Sequence, residues 1–91
     1  MSYAVRGIIH GQVQGVGFRN HVKKAVEVMQ IVGHAMNLPD RTVEVLFIGD
    51  RAEVEEAQKA ALEGPRYARV DSIDWEVVEG ENVTAEGFRV G

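Results

Sequence analysis

The chain contains no cysteine, and this absence excludes several classes of protein at once. There can be no disulfide, no thiolate zinc site and no cysteine nucleophile, so the fold must rely on the burial of apolar side chains. A small domain without disulfides suits the reducing cytosol better than secretion. The sequence also lacks an opening signal segment and any apolar run near the ~18 residues that a membrane span needs. We therefore expect a cytoplasmic protein without a membrane partner.

Positive charge is in short supply as well. Ten Lys and Arg residues stand against 14 Asp and Glu residues, which gives a formal net charge of −4. Such a balance argues against general nucleic-acid binding, because that binding depends on basic contacts with phosphates. The predicted strands also lack the Phe or Tyr stacking pair of an RNA-binding sheet. We expect no nucleic-acid partner, although a local basic site remains compatible with an acidic chain.

What is present is enough apolar material for one core, because 45% of the 91 residues are hydrophobic. We expect a single domain over 1–91. Apolar alternation predicts strands over 3–13, 34–38, 42–48 and 70–78, with a short last strand over 87–90. Apolar stripes predict a first helix over 18–31, stopped by Gly33, and a second helix over 50–63. A capping-box pair, Asp50 and Glu53, marks the start of the second helix.

This order of elements predicts an α+β fold. Two strand–helix–strand halves with right-handed crossovers give a ferredoxin-like split βαβ sandwich, βαββαβ plus a short tail strand. Both helices then cover one face of a mostly antiparallel sheet. The other face carries Ile8, Leu46 and Ile48, an apolar patch that either forms a dimer or is covered by the fifth strand or the polar loop 80–86. The same fold serves as RNA-binding, metal-carrying and small-ligand modules, so fold alone does not decide function.

Three glycines mark the stretch 11–19, where the first strand meets the first helix. Glycine lets the backbone turn tightly and approach a ligand closely. A loop that enters a helix start presents free N–H groups, and the helix dipole adds partial positive charge there. Arg19 adds a forked cation suited to phosphate or carboxylate oxygens. The residues thus predict a site for a phosphate-sized anion, with a plain strand-to-helix turn as the alternative.

The stretch Gly-x-Val-Gln-Gly-Val-Gly-Phe-Arg at 11–19 resembles the signature of the acylphosphatase family. Residues 33–45, which include Asn37, resemble the second motif of that family. Further similarities lie at 64–65, 68–70 and 87–89, so the resemblance follows nearly the whole chain in order. It implies an enzyme that hydrolyses the mixed anhydride of a carboxylic acid and phosphoric acid.

The resemblance also implies roles for individual residues. Phosphate is expected to bind to Gln14, Gly15, Val16, Gly17, Phe18 and Arg19, with the main-chain N–H groups forming a cradle. Asn37 is expected to hold the attacking water, and no cofactor or metal is implied. The implied partner is a small acyl phosphate, with inorganic phosphate or sulfate as competing anions and the protein acting as a monomer. In an arbitrary protein, Arg19 would be a solvated helix residue and Asn37 a turn cap.

Two residues, His34 and Arg41, depart from the family pattern. His34 stands where the family usually has an aromatic residue, and Arg41 stands where it has glycine at the end of the hairpin turn. Because that turn positions Asn37, an acylphosphatase-like scaffold with impaired catalysis is an alternative. Arg41 is expected either to strain the turn or to add charge near the substrate. His10 and His34 lie on strands that are not neighbours in the predicted sheet, so we expect no metal site.

Overall fold

A computed structural model of the chain describes residues 3–79 and 87–91. Its elements are β1 (Tyr3–Gln12), α1 (Phe18–Glu27), β2 (Val32–Asn37), β3 (Val43–Gly49), α2 (Arg51–Glu63), β4 (Arg69–Val78) and β5 (Phe88–Val90). The strands form one sheet in the order β4-β1-β3-β2-β5. Every neighbouring pair is antiparallel except β2 and β5, which run parallel. The predicted ferredoxin-like arrangement is confirmed.

The core lies between the two helices and one face of the sheet. Each helix contributes one buried apolar face, which is Phe18, Val22 and Val26 in α1 and Val54, Ala57 and Ala61 in α2. The central strand β3 adds Val43, Val45 and Phe47, all fully buried. Gly7 leaves room for the Trp75 ring, because a Cβ built at Gly7 would overlap that ring. Burial of these side chains holds the helices on the sheet, as a cysteine-free chain requires.

The opposite face of the sheet is mixed in character. Ala4, Leu46 and Ile48 form a small buried cluster, against which Val32 and Val78 pack. Leu46 and Ile48 are only 8% and 7% exposed. The fifth strand does not cover this patch, because β5 pairs with β2 at the edge of the sheet. The predicted loop 80–86 lies outside the described residues.

Two predictions about the helix ends were wrong. The first helix ends at Glu27 and not near residue 31, because the chain tightens into a turn in which the Met29 N–H donates to the Val26 carbonyl at 3.0 Å. Gly33 consequently lies in β2, where a Cβ would overlap the Leu46 carbonyl oxygen. A close approach between strands, and not a helix stop, is therefore what requires glycine there.

The predicted capping box at the start of α2 was also wrong. Asp50 occupies the N-cap position, but its side chain makes no capping hydrogen bond. The Glu53 carboxylate instead accepts a hydrogen bond from the Gln30 main-chain N–H at 3.3 Å. The residue pair thus marks the helix start correctly, but Glu53 ties α2 to the turn that follows α1.

Strand directions bring three segments to one end of the sheet. The β1–β3 pairing places the end of β1 beside the start of β3, and the β2–β3 pairing places Asn37 opposite Val43. The loop after β1, the end of β2 and the hairpin turn therefore meet at one edge. Within the described residues, neither helix is long and apolar enough to cross a membrane.

Candidate active site

The glycine loop between β1 and α1 adopts a backbone that favours glycine. Gly15 has φ 75° and Gly17 has φ 81°, both in the left-handed region. A side chain built at either position would meet nothing within 4 Å, so the conformation and not crowding calls for glycine. Gly17 is also the N-cap residue of α1, and it has no side chain that could accept a hydrogen bond from the first N–H groups of the helix. The first N–H groups of the helix are thus open to a ligand.

A cavity of about 160 Å³ lies at this loop. Its walls come from one stretch of chain, namely Val13, Gly15, Gly17, Phe18, Arg19 and Asn20. The Phe18 side chain is buried in the core, so it is the main-chain N–H of Phe18 that is free to meet a ligand. The cavity is smaller than the usual pocket for a drug-sized ligand and suits a compact group. Loop, helix start and Arg19 therefore surround one small space.

Arg19 and Asn37 are brought together by a single acceptor. The Arg19 guanidinium donates to the main-chain oxygen of Gly91, and the Asn37 main-chain N–H donates to the same oxygen at 3.3 Å. The Gly91 N–H in turn donates to the Ala35 carbonyl at 3.0 Å, which fixes this segment to β2. Sequence reasoning missed Gly91, because a main-chain acceptor leaves no residue-type signal.

The Asn37 side chain remains available for another partner. Asn37 is the exposed last residue of β2. Within the described part of the chain, its side-chain amide makes no hydrogen bond to protein. An amide of this kind can both donate to and accept from one water molecule.

Gln14 uses its side chain in a way that the sequence did not reveal. The side-chain amide nitrogen donates to the carbonyl oxygens of Leu38 and Thr42, both at 2.9 Å. Both N–H bonds of the amide are occupied by these contacts. The main-chain N–H is therefore the donor of Gln14 that is left for a phosphate, while the side chain joins the glycine loop to the hairpin turn.

The hairpin turn between β2 and β3 is closed by a main-chain hydrogen bond. The Arg41 N–H donates to the Leu38 carbonyl at 3.1 Å, and Arg41 has φ 74°. Arg41 is the only residue other than glycine with a positive φ in the described part of the chain. The Asp40 carboxylate accepts hydrogen bonds from the hydroxyl and the main-chain N–H of Thr42. These bonds, that of the hydroxyl first, lower the pKa of Asp40.

A second cavity of about 260 Å³ adjoins the other side of the loop. It is lined by Gly11, Gln12, Val13, Gln14, Val16 and Arg41. Val13 is common to both cavities, so the loop forms a wall of each. Val16, predicted as part of the phosphate loop, thus lines the second cavity and packs, partly buried, against the core.

The three histidines are not among the residues that line these two cavities. The ring nitrogen Nε2 of His10 lies 2.9 Å from the Asp74 carboxylate, and that of His34 lies 2.8 Å from the Glu44 carboxylate. His21 contacts the Ala60 carbonyl at 3.2 Å and links α1 to α2. As expected, β3 separates the strands of His10 and His34. His34 therefore pairs with an acid on the face away from the helices, and its departure from the family pattern leaves the glycine loop untouched.

The chain is similar to known proteins along most of its length. A family model described as acylphosphatase matches residues 5–90. An acylphosphatase of Photobacterium profundum is 43% identical over 88 residues, which cover 94% of this chain and 93% of that protein.

Solved structures agree with the sequence comparison. The structure of an acylphosphatase from Coxiella burnetii has a TM-score of 0.86 at 32% identity, and covers 99% of this chain and 93% of that one. The acylphosphatase from Bacillus subtilis has a TM-score of 0.87 at 28% identity, with 100% and 99% covered. With its glycine loop, its fold and its sequence all in agreement, the chain belongs to the acylphosphatase family.

Proposed function

We propose that this protein hydrolyses the carboxyl–phosphate bond of acyl phosphates to a carboxylate and inorganic phosphate. The main-chain N–H groups of the loop 14–18 and the Arg19 guanidinium hold the phosphoryl group, and Asn37 directs the water. One observation carries the proposal: the Gly91 oxygen accepts from both Arg19 and Asn37, beside the glycine-loop cavity. This contact supports an assignment of phosphate binding and water positioning to one place.

The reaction asks little of the protein beyond placement and charge. The water oxygen forms a bond to phosphorus while the bond from phosphorus to the bridging oxygen breaks. The bridging oxygen leaves with the bonding electron pair as a carboxylate, which needs no proton because carboxyl groups have a pKa near ~4. The water proton passes to a phosphate oxygen. No general acid, metal or cofactor is required by this sequence of events.

Rate enhancement then comes from the donors around the phosphoryl oxygens. Arg19 has five N–H donors and spends one on Gly91, so the others remain for phosphate. Charge on the transferring group is spread over its oxygens, and fixed donors stabilise it without reorganising. The Asn37 amide holds the water in line, which converts a collision into a positioned attack.

The proposal includes a cytosolic location and a monomeric state. The absence of cysteine supports a reducing compartment. Inorganic phosphate and sulfate carry the same oxygens as the transferred group, so they should compete with substrate for the loop. The low exposure of Leu46 and Ile48 supports a monomer, because little of that apolar patch is left for a second copy.

The test is hydrolysis of benzoyl phosphate by the wild type and by variants at the two assigned residues. Arg19→Ala should lose on the order of 10²–10³ in kcat, the usual cost of removing a charge-stabilising donor. Arg19→Lys should fail nearly as badly, because an ammonium cannot replace the bidentate fork. Asn37→Ala should lower kcat while phosphate binding persists. Lys23→Ala, on the exposed side of α1, is the control for the loss of one positive charge.

Three results would contradict the proposal. A wild type without acyl phosphate hydrolysis removes the function itself. Full activity in Arg19→Lys would show that a bidentate contact between Arg19 and phosphate is not needed. A folded Asn37→Ala variant that loses phosphate affinity as severely as Arg19→Ala removes the division of roles between anion and water.

A further inference from the structure

The second cavity has the properties of a subsite for the acyl group of the substrate. It shares Val13 with the glycine-loop cavity, and residues of the loop alternate between the two. Gly15 and Gly17 face the first cavity, whereas Gln14 and Val16 face the second. The two cavities are therefore neighbours across one loop, and the second is the adjacent space for the rest of a molecule whose phosphate occupies the first. At about 260 Å³, the second cavity is the larger of the two and admits a ring or short chain.

Arg41 supplies the only cation among the residues that line this cavity. Within the described residues, the Arg41 guanidinium has no ion-pair partner. Arg69, which pairs opposite Gln12 in the sheet, is by contrast bound to Asp71 at 3.0 Å. The neighbouring Asp40 carboxylate points its hydrogen-bonding oxygen at Thr42. Arg41 is thus the cation lining the second cavity that is left for a ligand.

The backbone conformation of Arg41 gives a second, independent reason to expect that Arg41 contacts a ligand. Its φ of 74° lies in the left-handed region, which is unfavourable for a residue with a Cβ and free for glycine. Backbone outliers of this kind cluster at active sites and ligand clamps. Arg41 itself lines the second cavity.

We propose that Arg41 forms a second anion subsite, which receives a carboxylate on the acyl group. The favoured substrates are then acyl phosphates of dicarboxylic acids, held by phosphate in the glycine loop and by the distal carboxylate at Arg41. The inference rests on the proposed hydrolytic function and specifies its substrate class.

The experiment compares two substrates that differ in the distal charge: 4-carboxybenzoyl phosphate and 4-methylbenzoyl phosphate. Each substrate is measured with wild type and with Arg41→Gln, which keeps the Cβ and the stem but removes the charge. Comparing variant with wild type on each substrate cancels the different intrinsic reactivities. We expect Arg41→Gln to lower kcat/KM about fivefold more for the carboxy substrate, the size of effect that one exposed ion pair produces. The difference should shrink as salt is raised, because exposed charges are screened.

Lys24→Gln is the matched control, because it removes one exposed positive charge at the far end of α1. Arg41→Lys should retain part of the preference. Equal losses on both substrates, or the same selective loss in Lys24→Gln, would overturn the subsite, since the effect would then be a general field or a disturbed turn.

Binding of an inert analogue separates this proposal from the hydrolytic one. In the analogue, a methylene replaces the bridging oxygen of 4-carboxybenzoyl phosphate. If wild type binds it about fivefold more tightly than Arg41→Gln does, while a methyl-bearing analogue shows no difference, the subsite stands even without hydrolysis. If both analogues bind equally to both proteins, the subsite is wrong even where the wild type hydrolyses both substrates.

Discussion

Arg41 carries a conformational cost that a single atom explains. At φ 74° its Cβ is crowded against the backbone, whereas glycine takes the same conformation freely. Arg41→Gly should raise the free energy of unfolding by up to about 1 kcal/mol, less the entropy that glycine adds to the unfolded chain. Urea unfolding of both proteins measures the change. Arg41→Asn should give part of the gain, because Asn tolerates this region better than other side chains with a Cβ.

A loss of stability in Arg41→Gly would show that contacts of the arginine stem outweigh the strain. The unfolding comparison of Arg41→Gly with wild type is independent of catalysis. The free energy of unfolding measures strain in the turn, whereas kcat/KM measures binding at the proposed subsite. Stabilisation together with loss of carboxylate preference is the expected combination.

Asp40 gives the hairpin turn a dependence on pH. Its pKa is lowered by the hydrogen bonds from Thr42, so the folded protein favours the ionised form. A lowered folded-state pKa gives stability that is present above the unfolded value of about 3.9 and is lost as the pH falls through the folded value. Asp40→Ala should therefore be less stable than wild type at pH 7. The difference in free energy of unfolding between wild type and Asp40→Ala should become smaller below about pH 4.

Thermal unfolding of both proteins across this pH range measures the gap. Asp71→Ala is the comparison, because Asp71 pairs with Arg69 on an exposed strand and has no part in the turn. A gap for Asp40→Ala that stays constant down to pH 2 would mean that Thr42 does not favour the ionised carboxylate.

At the scale of elements, Gln14 joins two segments that carry different roles. Its amide nitrogen donates to Leu38 and Thr42 at 2.9 Å, so it holds the turn after Asn37 against the glycine loop. Gln14→Met keeps the length and removes both donors. We expect a loss of about 1–2 kcal/mol in unfolding free energy. We also expect kcat to fall about tenfold or more, since small misplacements of a positioning group are costly.

A fall in kcat without a change in KM would show that Gln14 positions Asn37, whereas a change in both constants would indicate general damage to the fold. KM for benzoyl phosphate and the affinity for inorganic phosphate should change little, because the loop N–H groups stay in place. Gln30→Met, an exposed site with the same substitution beyond the end of α1, should leave both stability and kcat near wild type. A Gln14→Met protein with normal kcat would show that the turn holds Asn37 unaided.

The elements also show how far a sequence can predict structure. Both helix starts were predictable, because Gly17 and Asp50 are local signals. The sheet arrangement was predictable because the order of helices and strands, with right-handed crossovers, leaves few alternatives. The end of α1 was not. Met29 packs against the core from a turn, so its apolar character continues the helical stripe after the helix has ended. Periodicity reports which residues contact the core, not whether the chain between them is helical.

The same division holds at the site. The glycine loop, Arg19 and Asn37 carry residue types whose chemistry is visible in the sequence. The Gly91 oxygen that contacts both Arg19 and Asn37 is a main-chain atom, and its position depends on β5 pairing in parallel with β2. The two donors of the Gln14 amide were likewise unpredictable, because they reach 24 and 28 residues along the chain. Long-range contacts to main-chain oxygens depend on tertiary structure and leave no local pattern.

At the scale of the whole molecule, the loop cavity couples ligand binding to folding. Only the folded chain brings Arg19 and the N–H groups of residues 14–18 around one space, so an anion that binds there stabilises the folded state. Inorganic phosphate at ten times its dissociation constant should add about 1.4 kcal/mol. For a domain of this size, that corresponds to a rise of roughly 6–11 °C in Tm.

Differential scanning fluorimetry with phosphate, against sodium chloride at matched ionic strength, measures this rise. Lys24→Gln should show the full shift, because the residue lies at the other end of α1. Arg19→Ala should show almost none, since the remaining donors are neutral main-chain groups. A full shift in Arg19→Ala would place the anion elsewhere on the protein. A rise in chloride equal to that in phosphate would mean that screening of the net charge of −4, and not occupation of the loop, stabilises the fold.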